Sequence, residues 1–504
     1  MKLIDLLKQS AAKFPDKISV KDDTCEMTYS QLMTNVKRIS DCLCSVRCGP
    51  GVKVAVILPN SAAYFACFFA VSAAGATTVP MSSKMTAYEA AGFIKRSEVS
   101  LVLTEKNFAC KLLEQLDDTA IMILGQNANS DLKVDSFITG KPKIDSENSD
   151  VALMVYTSGT TGQSKIVMLT DDQLISNMFV YRAIMDMGGH NIVYCSLSLH
   201  HIYCICAQVL THISCGDTFI VTDKPFFIKD FFKAVQTYKI TATALVPYMG
   251  ILMAEYPDAD QFDLSSLKFI TFSGAKTPKL VYQKLTEKFN HIKFINTYGM
   301  SEAGSRISIA APNPGEFPIE SVGKPIPGVS VRITDDSGAI LPADSIGEVE
   351  VKGSGVFKGY FEQNWLTNET IIHGWLKTGD LGKLDTSGNL YLMGRKKEMI
   401  LCGGENIYPA EIEETLLENT SVKEAAVIAI PDQRLEEVPC SFVVLKDSVL
   451  CSESDIINFC RKRLSSFKVP RKVFITESIP KLGTSKIDKR KLKELALEQL
   501  RINE

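Results

Sequence analysis

Val155–Lys165 reads VYTSGTTGQSK, a β-prone run leading into hydroxyl residues, two glycines and a terminal lysine. The β-branched and aromatic residues of Val151–Tyr156 predict the strand that delivers it. Gly159 and Gly162 permit φ > 0 and carry no Cβ, so backbone N–H groups can close on phosphate oxygens. Thr157, Ser158, Thr160 and Thr161 add hydroxyl donors, and Lys165 adds a point charge. The pattern GxxxxGK(S/T) does not fit, so this is not a Walker-type loop. A surface turn between two elements would have a similar composition. The lysine and the preceding strand favour phosphate binding.

The 504 residues exceed what one hydrophobic core encloses, so two or more domains are expected. A hydrophobic content of 45% and a charged content of 22% describe an ordinary globular chain. The net charge of −3 gives no reason to expect nucleic acid or an anionic membrane as partner. The opening MKLIDLLKQSAAKFPDK has no signal-peptide core, and neither Cys42, Cys44 and Cys48 nor Cys204 and Cys206 have zinc spacing. Reduced thiols and a cytoplasmic location are therefore expected. The apolar run Ala62–Ala76 is too short and too rich in small residues to span a bilayer.

Outward from the loop, strands and helices alternate. Leu3–Phe14 and Thr28–Cys44 have helical spacing, the second capped at Thr28 or Ser30. Strands are expected at Lys53–Leu58, Thr77–Val79, Ser100–Thr104 and Ile121–Leu124, with a small-residue helix through Ala74. After the loop come a helix at Asp171–Met185 and strands at Asn191–Leu197, Thr218–Val221, Thr243–Val246 and Lys268–Phe272. This is the pattern of doubly wound, mostly parallel sheets. Pro312–Asp385 is dense in Gly and Pro with short β runs, which predicts a small β-barrel-like subdomain. A βα alternation restarts at Gly394. Residues 1–394 are expected as a large N-terminal domain and 395–504 as a small, mobile α+β domain.

Asn296–Ser305 reads NTYGMSEAGS. Tyr298 could lie against a purine and Glu302 could hold a divalent cation through oxygen; a helix entry capped by Ser301 is the plainer alternative. Ser273-Gly274-Ala275 follows a strand as a small-residue turn, and His201 and Tyr203 stand in the segment HHIYC. Trp375–Asp380 (WLKTGD) offers a carboxylate able to accept two ribose hydroxyls. Gly394–Glu411 reads GRKKEMILCGGENIYPAE, and Pro480–Lys486 reads PKLGTSK.

In this order and spacing, these stretches resemble the motifs of the acyl-adenylate-forming superfamily, closest to acyl- and aryl-CoA synthetases. The resemblance implies ATP, Mg²⁺ and coenzyme A as cofactors and a small carboxylic acid as substrate. It implies that Thr157, Ser158, Gly159, Thr160, Thr161, Gly162 and Lys165 hold the ATP phosphates. Ser273, Gly274, Ala275, Asn296, Thr297, Tyr298 and Gly299 would border the adenine, and Ser301 would contact the α-phosphate. Glu302 with Thr157 would hold Mg²⁺, and Asp380 and Arg395 would hold the ribose. His201, Tyr203, Gly274, Gly299 and Met300 would line the acyl pocket. Lys397 takes the hinge position, Gly403 and Gly404 a loop that enters the site on domain rotation. Lys486 takes the late catalytic position, bridging the substrate carboxylate and the α-phosphate.

Three residues depart from the pattern. Ser164 and Ile166 replace a Pro and a Gly after the phosphate loop, and Ser485 replaces the Gly before the late lysine. A β-branched Ile is stiffer than Gly, so an altered loop geometry and rate are expected, although Gly483 restores flexibility to the late loop.

The implied chemistry has two halves. A carboxylate attacks the α-phosphate of ATP, and the acyl-adenylate then passes its acyl group to a thiol. Coenzyme A is the expected acceptor; the phosphopantetheine of a carrier protein is the alternative. A binding protein that keeps the fold without catalysis is a third reading, supported only by the three departures. No Asp or Glu occurs between Cys195 and Cys215 to pair a buried ammonium. An aryl or aliphatic acid is therefore expected in preference to an α-amino acid.

Overall fold

The computed structural model describes residues 1–116, 120–126, 132–138, 142–157, 165–275, 277–310, 317–446, 449–481 and 487–502. Ser158, Gly159, Thr160, Thr161, Gly162 and Ser164 of the phosphate loop lie outside these residues, as do Gly483, Ser485 and Lys486.

Two mostly parallel sheets build the larger part of the molecule. In the first, Val151–Thr157, Thr77–Met81, Lys53–Ile57, Leu101–Glu105 and Ala120–Gln126 lie side by side in parallel. The run KVAVI at Lys53–Ile57 is buried at every residue, as a strand covered on both faces requires. Lys165–Thr170 and Gly359–Tyr360 extend one edge in antiparallel pairing, and Leu132–Ile138 the other. The second sheet carries Lys293–Tyr298, Phe269–Phe272, Ala242–Leu245, Ile192–Cys195, Thr218–Val221 and Ile18–Lys21 as its parallel run.

The apolar run is a helix, Ala62–Ala73, capped by Ser61. It has no polar face, and a helix of that kind must be enclosed. Phe65 meets Phe219 of the second sheet at 4.9 Å, and the Tyr64 hydroxyl donates to Leu199 O at 2.9 Å. Among the described residues no helix is long and apolar enough to cross a membrane. Of the two candidate caps, Thr28 is the one used: its hydroxyl accepts from Gln31 N, and the Gln31 side chain answers the Thr28 N–H. None of the fourteen cysteines is in a disulfide.

The Gly/Pro-rich region forms a five-stranded antiparallel sheet of Val329–Thr334, Gly347–Gly353, Ile371–Ile372, Trp375–Leu384 and Leu390–Arg395. Its Val349, Val351 and Leu376 join the core shared by the two larger sheets. A separate core gathers residues from Ile400 to Ala496 only. Around it pack the paired strands Val422–Asp432 and Glu436–Leu445 and the helices Pro409–Leu417, Glu453–Arg461 and Lys489–Ile502.

One expectation about the phosphate loop changes here. Before the expected helix, which spans Asp171–Ile184, the chain returns from the loop as the strand Lys165–Thr170, with Thr157 opposite Lys165 and Tyr156 opposite Ile166. Ile166 is thus a buried strand residue, where β-branching is an asset and no positive φ is needed. The stiffness of Ile166 therefore acts at the base of the hairpin.

Candidate active site

The strand Lys293–Tyr298 ends in a turn whose first residue can only be glycine. A Cβ on Gly299 would lie 1.5 Å from the Ser305 carbonyl oxygen. A short 3₁₀ turn, Ser301–Ala303, then closes at Gly304 in the left-handed conformation. This places Glu302 at 8% exposure. Its carboxylate accepts a hydrogen bond of 2.8 Å from the Tyr360 hydroxyl. Tyr360 belongs to the edge strand beside Lys165–Thr170, and the Lys165 ammonium stands 4.9 Å from the centre of its ring. Tyr360 therefore ties the base of the phosphate hairpin to Glu302. Burial, and then the Glu302 carboxylate, push its phenol well above the ordinary tyrosine range.

A second cluster adjoins the first, its Arg395 guanidinium within electrostatic reach of Glu302 and Tyr360. Asp380 and Arg395 are cross-strand neighbours, and Arg395 Nε meets Asp380 Oδ1 at 2.8 Å. The Tyr298 hydroxyl donates to Asp380 Oδ2 at 2.6 Å, and Asp380 N donates to Thr378 Oγ1 at 3.0 Å. Arg395 Nη1 also reaches Thr378 O at 3.2 Å. Burial and the Asp380 carboxylate raise the Tyr298 phenol far out of reach of ionisation.

The other expected residues fall on adjoining strand ends. Thr157 ends its strand opposite Lys165. Ser273 is buried, Gly274 has φ of 90°, and Gly274 and Ala275 are exposed beyond Phe269–Phe272. Asn296 and Thr297 are buried on the neighbouring strand, where Thr297 Oγ1 donates to Phe272 O at 3.0 Å. Met300 is half-buried against the main core.

At the acyl end, His201 opens a short helical turn, Ile202–Cys204, that continues as the π-helix Ile205–Leu210. Wide helical turns of this kind often mark functional sites. The Tyr203 hydroxyl lies 3.0 Å from Thr271 Oγ1. His200 and His201 face each other at 4.2 Å, and burial, His201 and Lys84 push the His200 imidazole down to about 3.

Lys397 is exposed in the 3₁₀ turn Lys396–Glu398, between the antiparallel sheet and the C-terminal core. On one side Lys396 pairs with Glu348 at 2.8 Å; on the other Lys489 pairs with Glu398 at 3.0 Å. Gly403 and Gly404, at φ of 58° and 85°, make the two-residue turn between Ile400–Cys402 and Glu405–Ile407. At the base of the late loop, Lys481 pairs with Ile487 across an isolated bridge. Its ammonium sits 4.1 Å from the ring centre of Tyr248, in the helix Pro247–Glu255, and 2.8 Å from Glu424.

Sequence reasoning missed Tyr360, Thr378 and Arg306. Tyr360 acts through strand pairing with a distant segment, which no local motif reports. Arg306 had a faint signal, a lone charge ahead of the apolar run ISIAA. No group of three or more His, Cys, Asp or Glu side chains that could hold a metal occurs among the described residues. Glu302 alone suits Mg²⁺, which commonly takes one or two carboxylates and completes its shell with water and substrate phosphates.

Residues 7–361 match the family model described as AMP-binding enzyme, and residues 411–486 match the AMP-binding enzyme C-terminal domain. The chain is 31% identical to 2-succinylbenzoate–CoA ligase of Bacillus cereus (strain Q1), over 98% of both chains. It is 30% identical to oxalate–CoA ligase of Arabidopsis thaliana, over 99% of both. The solved o-succinylbenzoate CoA synthetase of Bacillus subtilis, in complex with its acyl-adenylate intermediate, is similar with a TM-score of 0.82 and 26% identity over 97% of each chain. The chain thus belongs to the family of AMP-binding enzymes and is an adenylate-forming acid–thiol ligase.

Proposed function

We propose that this protein activates an aryl or aliphatic carboxylic acid with ATP and transfers the acyl group to coenzyme A. A carboxylate oxygen attacks the α-phosphorus, the bond to the β-phosphate breaks, and pyrophosphate leaves. The thiol sulfur then attacks the acyl carbonyl, AMP leaves, and the thiol proton passes to solvent. The observation that carries this reading is the joined cluster of Lys165, Tyr360 and Glu302 with Tyr298, Asp380 and Arg395. It lies beside a hairpin rich in phosphate-binding residue types. Little covalent work falls to such a site; positioning and charge dominate.

In this reading the loop from Thr157 to Lys165 holds the phosphates, with Ser301 at the α-phosphate. Ser273–Ala275 and Asn296–Gly299 border the adenine, and Asp380 and Arg395 hold the ribose. The Tyr298 hydroxyl serves as positioner of Asp380. Mg²⁺ held by Glu302, with Thr157 nearby, would neutralise phosphate charge. Lys486 supplies the charge at the reacting carboxylate; the contact of Lys481 with Tyr248 supports its loop facing the larger domain during the first half-reaction. Rotation about Lys397 would then bring Gly403 and Gly404 to the site. Lys397→Pro, with φ limited to about −65°, should keep pyrophosphate exchange into ATP and lose most thioester formation. Thioester made at the parent rate would remove the hinge from the mechanism.

Coenzyme A is favoured as acceptor because both curated relatives are CoA ligases over their whole length. The free thiols favour the cytoplasm. Pyrophosphate release across a panel of carboxylic acids, with coenzyme A or a holo-carrier protein as acceptor, tests the whole reading. ATP binding without pyrophosphate release from any acid would overturn it.

A further inference from the structure

Arg306 is 1% exposed, and its Nε, Nη1 and Nη2 have no hydrogen-bond partner among the described residues. The guanidinium carbon stands 3.4 Å from the centre of the Tyr181 ring. That cation–π contact, with the Tyr181 hydroxyl close by, answers part of the charge; the aromatic face itself accepts none of the in-plane N–H bonds. The polar atoms beside it are equally unsatisfied. Asn177 donates through Nδ2 to Arg306 O at 2.8 Å, while its Oδ1 and the Ser305 hydroxyl are buried without partners. Ser305 has φ of 96°, a conformation that side-chain-bearing residues avoid. Strain of this kind persists where surrounding structure enforces it, and it clusters at ligand sites. Here the Ser305 carbonyl is pressed against Gly299 of the nucleotide turn.

The guanidinium also lies within electrostatic reach of the Tyr203 hydroxyl and the Cys206 thiol. This sets it toward Tyr203, in the segment where the acyl group is expected. A buried cation is retained when something pairs with it, and the planar guanidinium fork matches a carboxylate in bidentate fashion. The reacting carboxylate is committed to the α-phosphate at the Ser301–Glu302 turn. This leaves Arg306 for the far end of the acid.

We infer that Arg306 receives a second carboxylate of the acyl substrate, so that the acid activated here is a dicarboxylic acid. The inference rests on the ligase reading above and narrows its substrate class. A monocarboxylic acid would leave the guanidinium donors unpaired in the pocket, and sites built to make such bonds reject partners that lack them.

The test uses glutarate, adipate and phthalate, each against its monomethyl ester, with the full-length enzyme, Arg306→Met and Arg306→Lys. In pyrophosphate release the parent should prefer at least one diacid over its half-ester by roughly 10²-fold or more in kcat/KM. Arg306→Met should bring that ratio close to one, and Arg306→Lys should restore part of it. Parity between every diacid and its half-ester in the parent overturns the inference, whether or not the variants fold. An undiminished preference in a folded Arg306→Met also overturns it, and leaves Arg306 as a packing residue for Tyr181. Thermal melting separates the two readings. A diacid-specific rise in parent Tm with no pyrophosphate release would sink the ligase reading and keep the anion site. Neither release nor a diacid-specific shift would sink the anion site.

Discussion

The two ends of the site treat charge in opposite ways. At the nucleotide end, Asp380, Arg395 and Glu302 all have hydrogen-bond partners on neighbouring strands, at 2.6–2.8 Å. Where the acyl group is proposed to lie, Arg306 is more deeply buried than any of them and has the Tyr181 ring and hydroxyl against it. Preorganised, mutually bonded charges suit a nucleotide that must be bound identically in every turnover. A lone buried charge suits a partner that arrives with the substrate. On the proposed reading, the reaction is written at one end and the choice of acid at the other.

The largest effect should come from the charge that serves both ends. Lys486→Ala should lower adenylate formation by roughly 10²–10³, for every acid alike, while thioester formation from supplied acyl-adenylate is largely kept. Equal loss in both half-reactions, measured separately, would put Lys486 outside the chemistry. Asp380→Ala should raise the apparent KM for ATP by roughly 10–100-fold, because a charged hydrogen-bond acceptor is lost in ground and transition states alike. If it also altered the preference between diacid and half-ester, the two ends would not be independent.

A pH titration sharpens the acyl end. The folded His200 resists protonation down to about 3, while the unfolded imidazole takes its proton near 6.5. The unfolded state therefore binds more protons below that pH, and stability falls as pH drops through it. By pH 5 the loss should reach about 2 kcal/mol, and His200→Gln should remove about that much of the fall in unfolding free energy between pH 7 and pH 5, seen as a flatter dependence of Tm on pH. Parallel slopes for parent and variant would mean that His200 is solvated. The smallest effect is expected from Tyr360→Phe, which keeps the ring under Lys165 and removes only the hydroxyl on Glu302. It should cost about 1.5 kcal/mol in urea unfolding and change the ATP KM less than Asp380→Ala does. The reverse order would make Tyr360 a direct nucleotide contact.

The alternation of strands and helices was legible in the sequence because buried parallel strands are continuous apolar runs and helices carry their caps. Thr28, one of the two caps expected for its helix, with its partner Gln31 shows this. The motifs at Tyr298, Asp380 and Arg395 were legible because each sits on a turn or strand end whose local residues are distinctive. The strand Lys165–Thr170 was not, since its partner lies across a loop rich in turn residues and its own run reads equally well as a helix approach. Tyr360 was hidden for a similar reason. Its value depends on a two-residue strand pairing with Val167.

What the sequence alone determined was the reaction class and the residue types set at its turns and strand ends, because turn chemistry, period and charge are local properties. What only the tertiary structure decided was pairing: that Tyr298 bonds Asp380, that Tyr360 joins Lys165 to Glu302, and that Arg306 is buried among groups that leave its donors unmatched. Burial and partnership are properties of residues far apart in the chain. A charge acquires its energetic meaning from the dielectric and the acceptors around it, and those exist only once the sheets have packed.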